Sequence, residues 1–168
     1  MSNLAAEQSL HFAPLRDAYA SGTASPAEVI DLVFSRIEER SVPGIWISLR
    51  ERAEVLRDAE AVVRRRALGE TLPLFGLPFA VKDNIDVAGM PTTVACPDFS
   101  YLPAASAPVV TRLLQAGALL IGKTNLDQFA TGLSAYGPLT ESRPIPSMGA
   151  TSAGARAPDR RRPSPAAR

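Results

Sequence analysis

The stretch Gly76-Leu-Pro-Phe-Ala-Val-Lys-Asp-Asn-Ile-Asp-Val-Ala-Gly-Met-Pro-Thr-Thr93 joins a short apolar run to a polar loop that is broken by glycine and proline. The apolar run, residues 77–82, predicts a buried β-strand, because short apolar runs bounded by turn residues are typical of strands inside a sheet. Lys82 ends this strand. A lysine at such a place is partly shielded from water, and desolvation favours the neutral amine that acts as a base. Lys82 is therefore a candidate catalytic base, and the alternative is a surface lysine that caps a strand end.

Helix and strand patterns alternate on both sides of this stretch. Residues 118–121 are a second apolar run that predicts a strand ended by Gly122, and residues 45–48 predict a shorter strand. Ser25-Pro-Ala-Glu28 is a capping box with proline at the first helical position, which predicts the start of a helix. Further helices are predicted over about residues 5–20, 50–68 and 108–116. This alternation predicts an α/β fold.

The helix at residues 50–68 is charged and amphipathic. Its predicted buried stripe consists of Val55, Leu56, Val62 and Val63.

The overall composition narrows the class of protein. The 168 residues carry 18 basic and 17 acidic side chains, so charge predicts neither a nucleic-acid partner nor a membrane partner. A single cysteine, Cys96, excludes an internal disulfide and fits a reducing compartment. A single histidine, His11, excludes a histidine-rich metal site and is expected to be structural. No apolar run approaches the roughly 20 residues that span a bilayer, and no signal peptide is recognised, so we expect a cytoplasmic protein.

The character of the sequence changes after Gly137. Six of the fifteen prolines and the run Arg160-Arg-Arg162 lie in residues 138–168, which show no helical or strand periodicity. Such a segment cannot form a core, so its composition predicts disorder. We therefore divide the chain into an ordered part, residues 1–137, and a disordered tail, residues 138–168.

Two long motifs in the ordered part resemble the amidase signature family. The first comprises Lys82-Asp-Asn-Ile-Asp-Val-Ala-Gly and Pro91-Thr-Thr-Val-Ala-Cys-Pro97, and the second is Asn125-Leu-Asp-Gln-Phe-Ala-Thr-Gly132. Within that family the wording is most similar to the allophanate hydrolases, and Ile45-Trp-Ile-Ser48 fits the same group. The resemblance implies that residues 1–137 are the N-terminal part of the amidase signature fold, a mixed sheet flanked by helices.

The resemblance also implies a chemistry, a serine–cis-serine–lysine triad in which Lys82 is the base. The expected substrate is a small-molecule amide, and for an allophanate hydrolase it is allophanate, which yields ammonia and carbon dioxide in urea degradation. No metal and no organic cofactor is implied, and the intact parent is expected to form a homodimer. Asn125 is a candidate substrate-binding residue that would orient the site.

The other polar residues of the motifs receive plainer interpretations. Turn and cap contacts are expected for Asp83, Asn84, Thr124 and Asp127. Lys123 is interpreted as a loop lysine rather than a second base, and Cys96 as a small packed residue.

The two catalytic serines of the family have no counterpart in the tail. Ser142, Ser147, Ser152 and Ser164 lack the flanking glycines of the family's serine loops. A shifted reading frame over residues 151–165 permits a Gly-Gly-Ser-Ser sequence followed by small residues, as the family has. We therefore hypothesise a frameshift between about residues 137 and 142, which would leave this chain an inactive fragment.

Three interpretations follow from the sequence. The first is a fragment of an allophanate hydrolase. The second is a fragment of a general amidase or of the A chain of a glutamyl-tRNA amidotransferase, against which Trp46 and the wording of residues 125–132 count. The third is a non-catalytic binding module that keeps the N-terminal part of an amidase. Whether the chain is an enzyme therefore stays open at this point.

Overall fold

A computed structural model describes residues 9–40 and 42–131 of the chain. Helices and strands alternate, as the sequence predicts. The four α-helices of this region are α1 (Phe12–Ser21), α2 (Pro26–Arg40), α3 (Arg52–Ala67) and α4 (Pro108–Gln115). Its three strands are β1 (Trp46–Leu49), β2 (Pro78–Lys82) and β3 (Leu119–Thr124). The predicted tail, residues 138–168, lies outside the described residues.

The strands form one mixed sheet, which confirms the predicted architecture. Their order is β1–β3–β2, with β1 antiparallel and β2 parallel to the central strand β3. Leu119 and Ile121 pack with α2 and α3 on one face, while Leu120 and Val81 pack with Val110 of α4 on the other. The sheet is thus covered by helices on both faces, and the carboxyl ends of its two parallel strands point to the same edge.

The capping box predicted at the start of α2 is present. The Ser25 backbone N–H donates to Glu28 Oε2 over 2.9 Å, and the Glu28 N–H donates to Ser25 Oγ over 3.3 Å. Each side chain therefore satisfies a backbone donor that the first turn of a helix leaves free. In the described residues no helix is long and apolar enough to cross a membrane.

Two local predictions are wrong in detail. Val63 is 44% exposed, and Ala59 instead joins Val55 and Val62 in the buried stripe of α3. The reason is the helical period, which carries position 63 about 100° past position 62 and away from the sheet. Helix α1 begins at Phe12 rather than near residue 5, and residues 1–8 lie outside the described part.

Gly122 allows β1 to lie close to β3. A Cβ atom added there would overlap the carbonyl oxygen of Ser48 and lie 3.0 Å from the Cα of Leu49. The β1–β3 register shifts between Trp46 and Ser48, next to this close approach. Glycine is therefore required inside β3, where the sequence pattern had predicted the strand to end.

Candidate active site

The candidate site lies at the carboxyl edge of the two parallel strands. Lys82 is the last residue of β2 and pairs with Thr124, the last residue of β3. Asn125 follows directly, and its backbone N–H donates to Ile45 O over 2.8 Å. The candidate base and the candidate substrate-binding residue are thus brought to neighbouring strand ends. In α/β sheets, this edge is where ligands bind.

Lys82 is exposed, so the prediction that β2 is buried and shields this lysine is wrong. Only Val81 of the strand is buried, because within the described residues β2 has a neighbouring strand on one side only. Nζ of Lys82 makes no hydrogen bond and no ion pair with any residue of 9–40 or 42–131. The amine is consequently free to meet a group that is supplied from outside this part of the chain.

Lys123, in contrast, is fully buried, so its interpretation as a loop lysine is wrong. Its Nζ lies 3.0 Å from Asp83 Oδ1, and both side chains are 0% exposed. The same Nζ donates to Pro91 O over 2.7 Å and to Thr92 Oγ1 over 2.8 Å. Asp83 Oδ1 accepts no aligned hydrogen bond in the described residues, so its partner is the charge of Lys123. A buried charge is tolerated only when it is paired in this way.

The second oxygen of Asp83 holds a backbone turn. Oδ2 accepts hydrogen bonds from the Thr93 N–H (2.9 Å), the Thr93 hydroxyl (2.6 Å) and the Val94 N–H (2.9 Å). Turn contacts were expected of Asp83, but its complete burial was not. The turn closes where the Cys96 N–H donates to Thr93 O over 2.8 Å.

This turn has an unusual backbone for its sequence. Val94 and Ala95 have φ of 55° and 57°, so both central residues are left-handed, as in a type I′ turn. Such turns favour asparagine and glycine, and a β-branched residue in this region is an outlier. Outliers of this kind persist only where the surrounding contacts hold them. The three hydrogen bonds to Asp83 are such contacts.

A polar chain connects the buried pair to the surface. Thr92 Oγ1 receives the bond from Lys123 and donates to Asp86 Oδ1 over 2.8 Å, and the Tyr101 hydroxyl donates to the same oxygen over 2.7 Å. The Tyr101 hydrogen bond, and after it that of Thr92, lowers the pKa of Asp86 below its ordinary value. The same bond to Asp86 raises the pKa of Tyr101. The loop that follows β2 is therefore fastened at both ends.

Aromatic rings flank the turn. Phe99 packs edge-to-face against Tyr101 and Phe129, with ring centroids 5.8 Å and 5.3 Å apart. The Phe129 N–H donates to Val94 O over 3.1 Å, which joins the segment after β3 to the turn. Each of these rings is more than two-fifths exposed. An apolar, partly open surface thus lies beside the strand ends.

Most of the remaining motif residues make the local contacts that were expected. Asn125 Oδ1 accepts from the Leu126 N–H over 2.9 Å, and Thr124 Oγ1 donates to Val81 O over 3.4 Å. Asn84 and Asp127 are exposed, and Asp127 precedes the short 3₁₀ helix Gln128–Ala130. The substrate-binding role of Asn125 stays a prediction.

The single cysteine and histidine lie apart from any cluster. Cys96 is a half-buried free thiol in the turn, and His11 is exposed just before α1. Within residues 9–40 and 42–131, no group of three or more His, Cys, Asp or Glu side chains could hold a metal ion. The tail serines Ser142, Ser147, Ser152 and Ser164 lie outside the described residues.

Sequence reasoning missed Lys123 because of the strand register. The β2–β3 pairing shifts between Phe79 and Ala80, so simple alternation along β3 does not give the direction of the side chain that lies opposite Val81. One signal was available: the chain has only two lysines, and one of them follows an apolar run and a glycine.

Comparison with known proteins gives consistent results. The family model described as Amidase matches residues 28–154, a range that continues past residue 137. Urea amidolyase of Saccharomyces cerevisiae is 54% identical over 92 residues, which are 55% of this chain and 5% of that protein. The A chain of the glutamyl-tRNA(Gln) amidotransferase of Deinococcus deserti is 40% identical over 121 residues, which are 71% of this chain and 24% of that protein.

A solved structure shares the fold. Allophanate hydrolase of Kluyveromyces lactis is 38% identical and superimposes with a TM-score of 0.54, over 68% of this chain and 19% of that chain. The chain thus spans between a twentieth and a quarter of the length of these relatives.

Proposed function

The chain belongs to the amidase family, and from that membership we propose that it is the first part of an allophanate hydrolase domain in which Lys82 is the catalytic base. The observation that carries the proposal is the position of Lys82. It is an exposed amine without a partner in the described residues, at the carboxyl edge of the sheet and within the motif that resembles the family.

The proposed reaction is hydrolysis of an amide C–N bond. Neutral Lys82 takes a proton from the cis-serine hydroxyl, which in turn takes the proton of the nucleophilic serine. The serine oxygen then bonds to the amide carbon, the C–N bond breaks, and the nitrogen leaves as ammonia with a proton returned along the relay. Water releases the acyl group in a second, equivalent step. No cofactor takes part in this proposed reaction.

We further propose that the chain as written is inactive, because no serine of the family's glycine-rich loops is present in it. Removing the nucleophile removes the covalent route, and Lys82 alone cannot replace it. The frameshift hypothesis explains the loss. Since the family match continues to residue 154, the point at which the frame changes is part of the test.

The second candidate is a protein of the type of the glutamyl-tRNA amidotransferase A chain. The 40% identity to the Deinococcus deserti protein supports it, and the higher identity to urea amidolyase favours the first proposal. The third candidate, a binding module, has no support from a particular contact in the described residues.

The test starts from the gene. Genomic DNA is resequenced from the Gly122 codon to well past the stop codon, and the gene with the restored frame is expressed and assayed for ammonia release. We expect release from allophanate and none from the present chain. Release from glutamine or simple amides, with none from allophanate, would favour the second candidate. If the frame is as written, the catalytic proposal fails for this chain.

In the restored protein, Lys82→Met is expected to reduce turnover by about 10² to 10⁴-fold, the usual contribution of a general base. Lys123→Arg keeps a cation in the core and is the matched variant of the other lysine.

A further inference from the structure

We propose that Asp83 and Lys123 are a positioning pair for Lys82. They fasten the strained turn at residues 93–96 to the strand end that carries Lys82 and thereby fix the direction of its amine. This inference rests on the proposed role of Lys82, and it adds two positioning residues that the comparisons do not assign.

The first step concerns the direction of the Lys82 side chain. Along an extended chain, successive side chains point to opposite faces. Val81 and Asp83 are buried, and Lys82 between them is exposed. The Asp83 N–H donates to Thr124 O over 3.0 Å, which continues the ladder one residue beyond β2. Burial of Asp83 thus fixes the face from which the Lys82 amine projects.

The second step concerns what keeps Asp83 inside. A carboxylate with no exposed surface is stable only when its charge is balanced and its lone pairs are used. Lys123 balances the charge at 3.0 Å, and the Thr93 and Val94 donors occupy the other oxygen. Loss of any of these partners favours outward rotation of position 83, and the residue before it moves with the same backbone.

The third step concerns the strained turn. Left-handed Val94 and Ala95 resist this conformation, so external contacts must impose it. Asp83 holds the turn from the side of β2, and the Phe129 N–H to Val94 O bond holds it from the segment after β3. Lys123 also binds Pro91 O, in the chain that leads into the turn. A device that costs free energy and is fixed at three points next to the candidate base is what a preorganised site requires.

The experiment uses the full 168-residue chain and the variants Thr93→Val and Thr93→Ser. Valine has the shape of threonine but lacks the hydroxyl that donates to Asp83, whereas serine keeps it. Tyr19→Phe is the matched control, because it removes one buried hydrogen bond, to Gly76 O, before the start of β2.

Two readouts are followed. The first is amide hydrogen exchange at Asp83, Val94 and Phe129. The second is the NMR signal of ¹³C-dimethylated Lys82, which native labelling yields separately because Lys123 is fully buried. We expect Thr93→Val to speed exchange at the three amides by about 10-fold or more, as loss of a charge-assisted hydrogen bond implies. The Lys82 signal should move toward its position in urea.

Thr93→Ser should restore both readouts, and Tyr19→Phe should leave the Lys82 signal in place. If Thr93→Val speeds exchange equally throughout α2 and α3, or leaves the Lys82 signal unmoved, the pair serves stability alone and the proposal is overturned. Should Thr93→Val not fold, Thr92→Val, which removes the bond from Lys123, is judged by the same two readouts. Failure of allophanate hydrolysis in the restored protein would refute the proposed function without changing these results.

Discussion

The two lysines of this chain lie at one edge of one sheet and have opposite environments. Lys123 is enclosed by Asp83, Pro91 and Thr92, and none of its side chain is exposed. Lys82 belongs to the paired strand, is exposed, and has no partner in the described residues. The difference shows that an anchored lysine and a free one are built side by side: one holds the backbone, and the other is left available for chemistry.

The largest expected effect separates the two lysines by stability. Lys123→Met leaves the buried carboxylate of Asp83 without a countercharge, which we expect to cost about 3–5 kcal/mol in the free energy of unfolding. Lys82→Met should change it by no more than about 0.5 kcal/mol, because the side chain is exposed and unpaired. Urea unfolding followed by circular dichroism measures both. Similar losses for the two variants would remove the distinction.

The next prediction isolates the pair itself. Asp83→Leu combined with Lys123→Met removes both charges, so the double variant should lose less stability than the two single variants added together. A coupling of about 1–3 kcal/mol is expected from a double-mutant cycle on residues in contact. Additive losses in urea unfolding would mean that the two side chains do not depend on each other.

A pH series tests the surface end of the network. Because the folded-state pKa of Asp86 lies below its ordinary 3.8, the stability that it contributes is present above pH 3.8 and is lost as pH falls through the folded value. Because the folded-state pKa of Tyr101 lies above 10.0, its contribution is complete below pH 10.0 and is lost as pH rises through the folded value. Tyr101→Phe should therefore lower the melting temperature most in the range between, measured by thermal unfolding.

Tyr19 is the control for the alkaline side of this series. Burial raises its pKa, so alkaline destabilisation from Tyr19 is expected with or without the Tyr101→Phe change. A constant difference between wild type and Tyr101→Phe from pH 3 to pH 11 would contradict the assigned role of the Asp86–Tyr101 bond.

The smallest expected effect concerns the strained turn. Ala95→Gly relieves a left-handed residue, a gain of roughly 1–2 kcal/mol that is largely offset by the extra freedom of glycine in the unfolded chain. The net change should lie between about 0 and 1 kcal/mol of added stability in urea unfolding. A clear loss would indicate that the Ala95 methyl group, rather than its backbone, is needed.

The sequence predicted the outline of the fold better than the contacts of its edge. The capping box placed the start of α2, and apolar runs located β2 and β3, because these signals are local. Burial of Lys123 depends on Asp83 and on a register shift in the β2–β3 pairing, and neither is visible in a short window. Exposure of Lys82 was missed for a similar reason, since an apolar run does not indicate whether a strand has neighbours on both sides.

The most direct measurement is competitive labelling of the two lysines. The folded 168-residue chain is treated with an amine-acylating reagent at neutral pH, and the modified positions are quantified by mass spectrometry after digestion. The account predicts that Lys82 is modified while Lys123 stays unmodified until denaturant unfolds the chain. Equal modification of both lysines in the folded chain, or faster modification of Lys123, would contradict it.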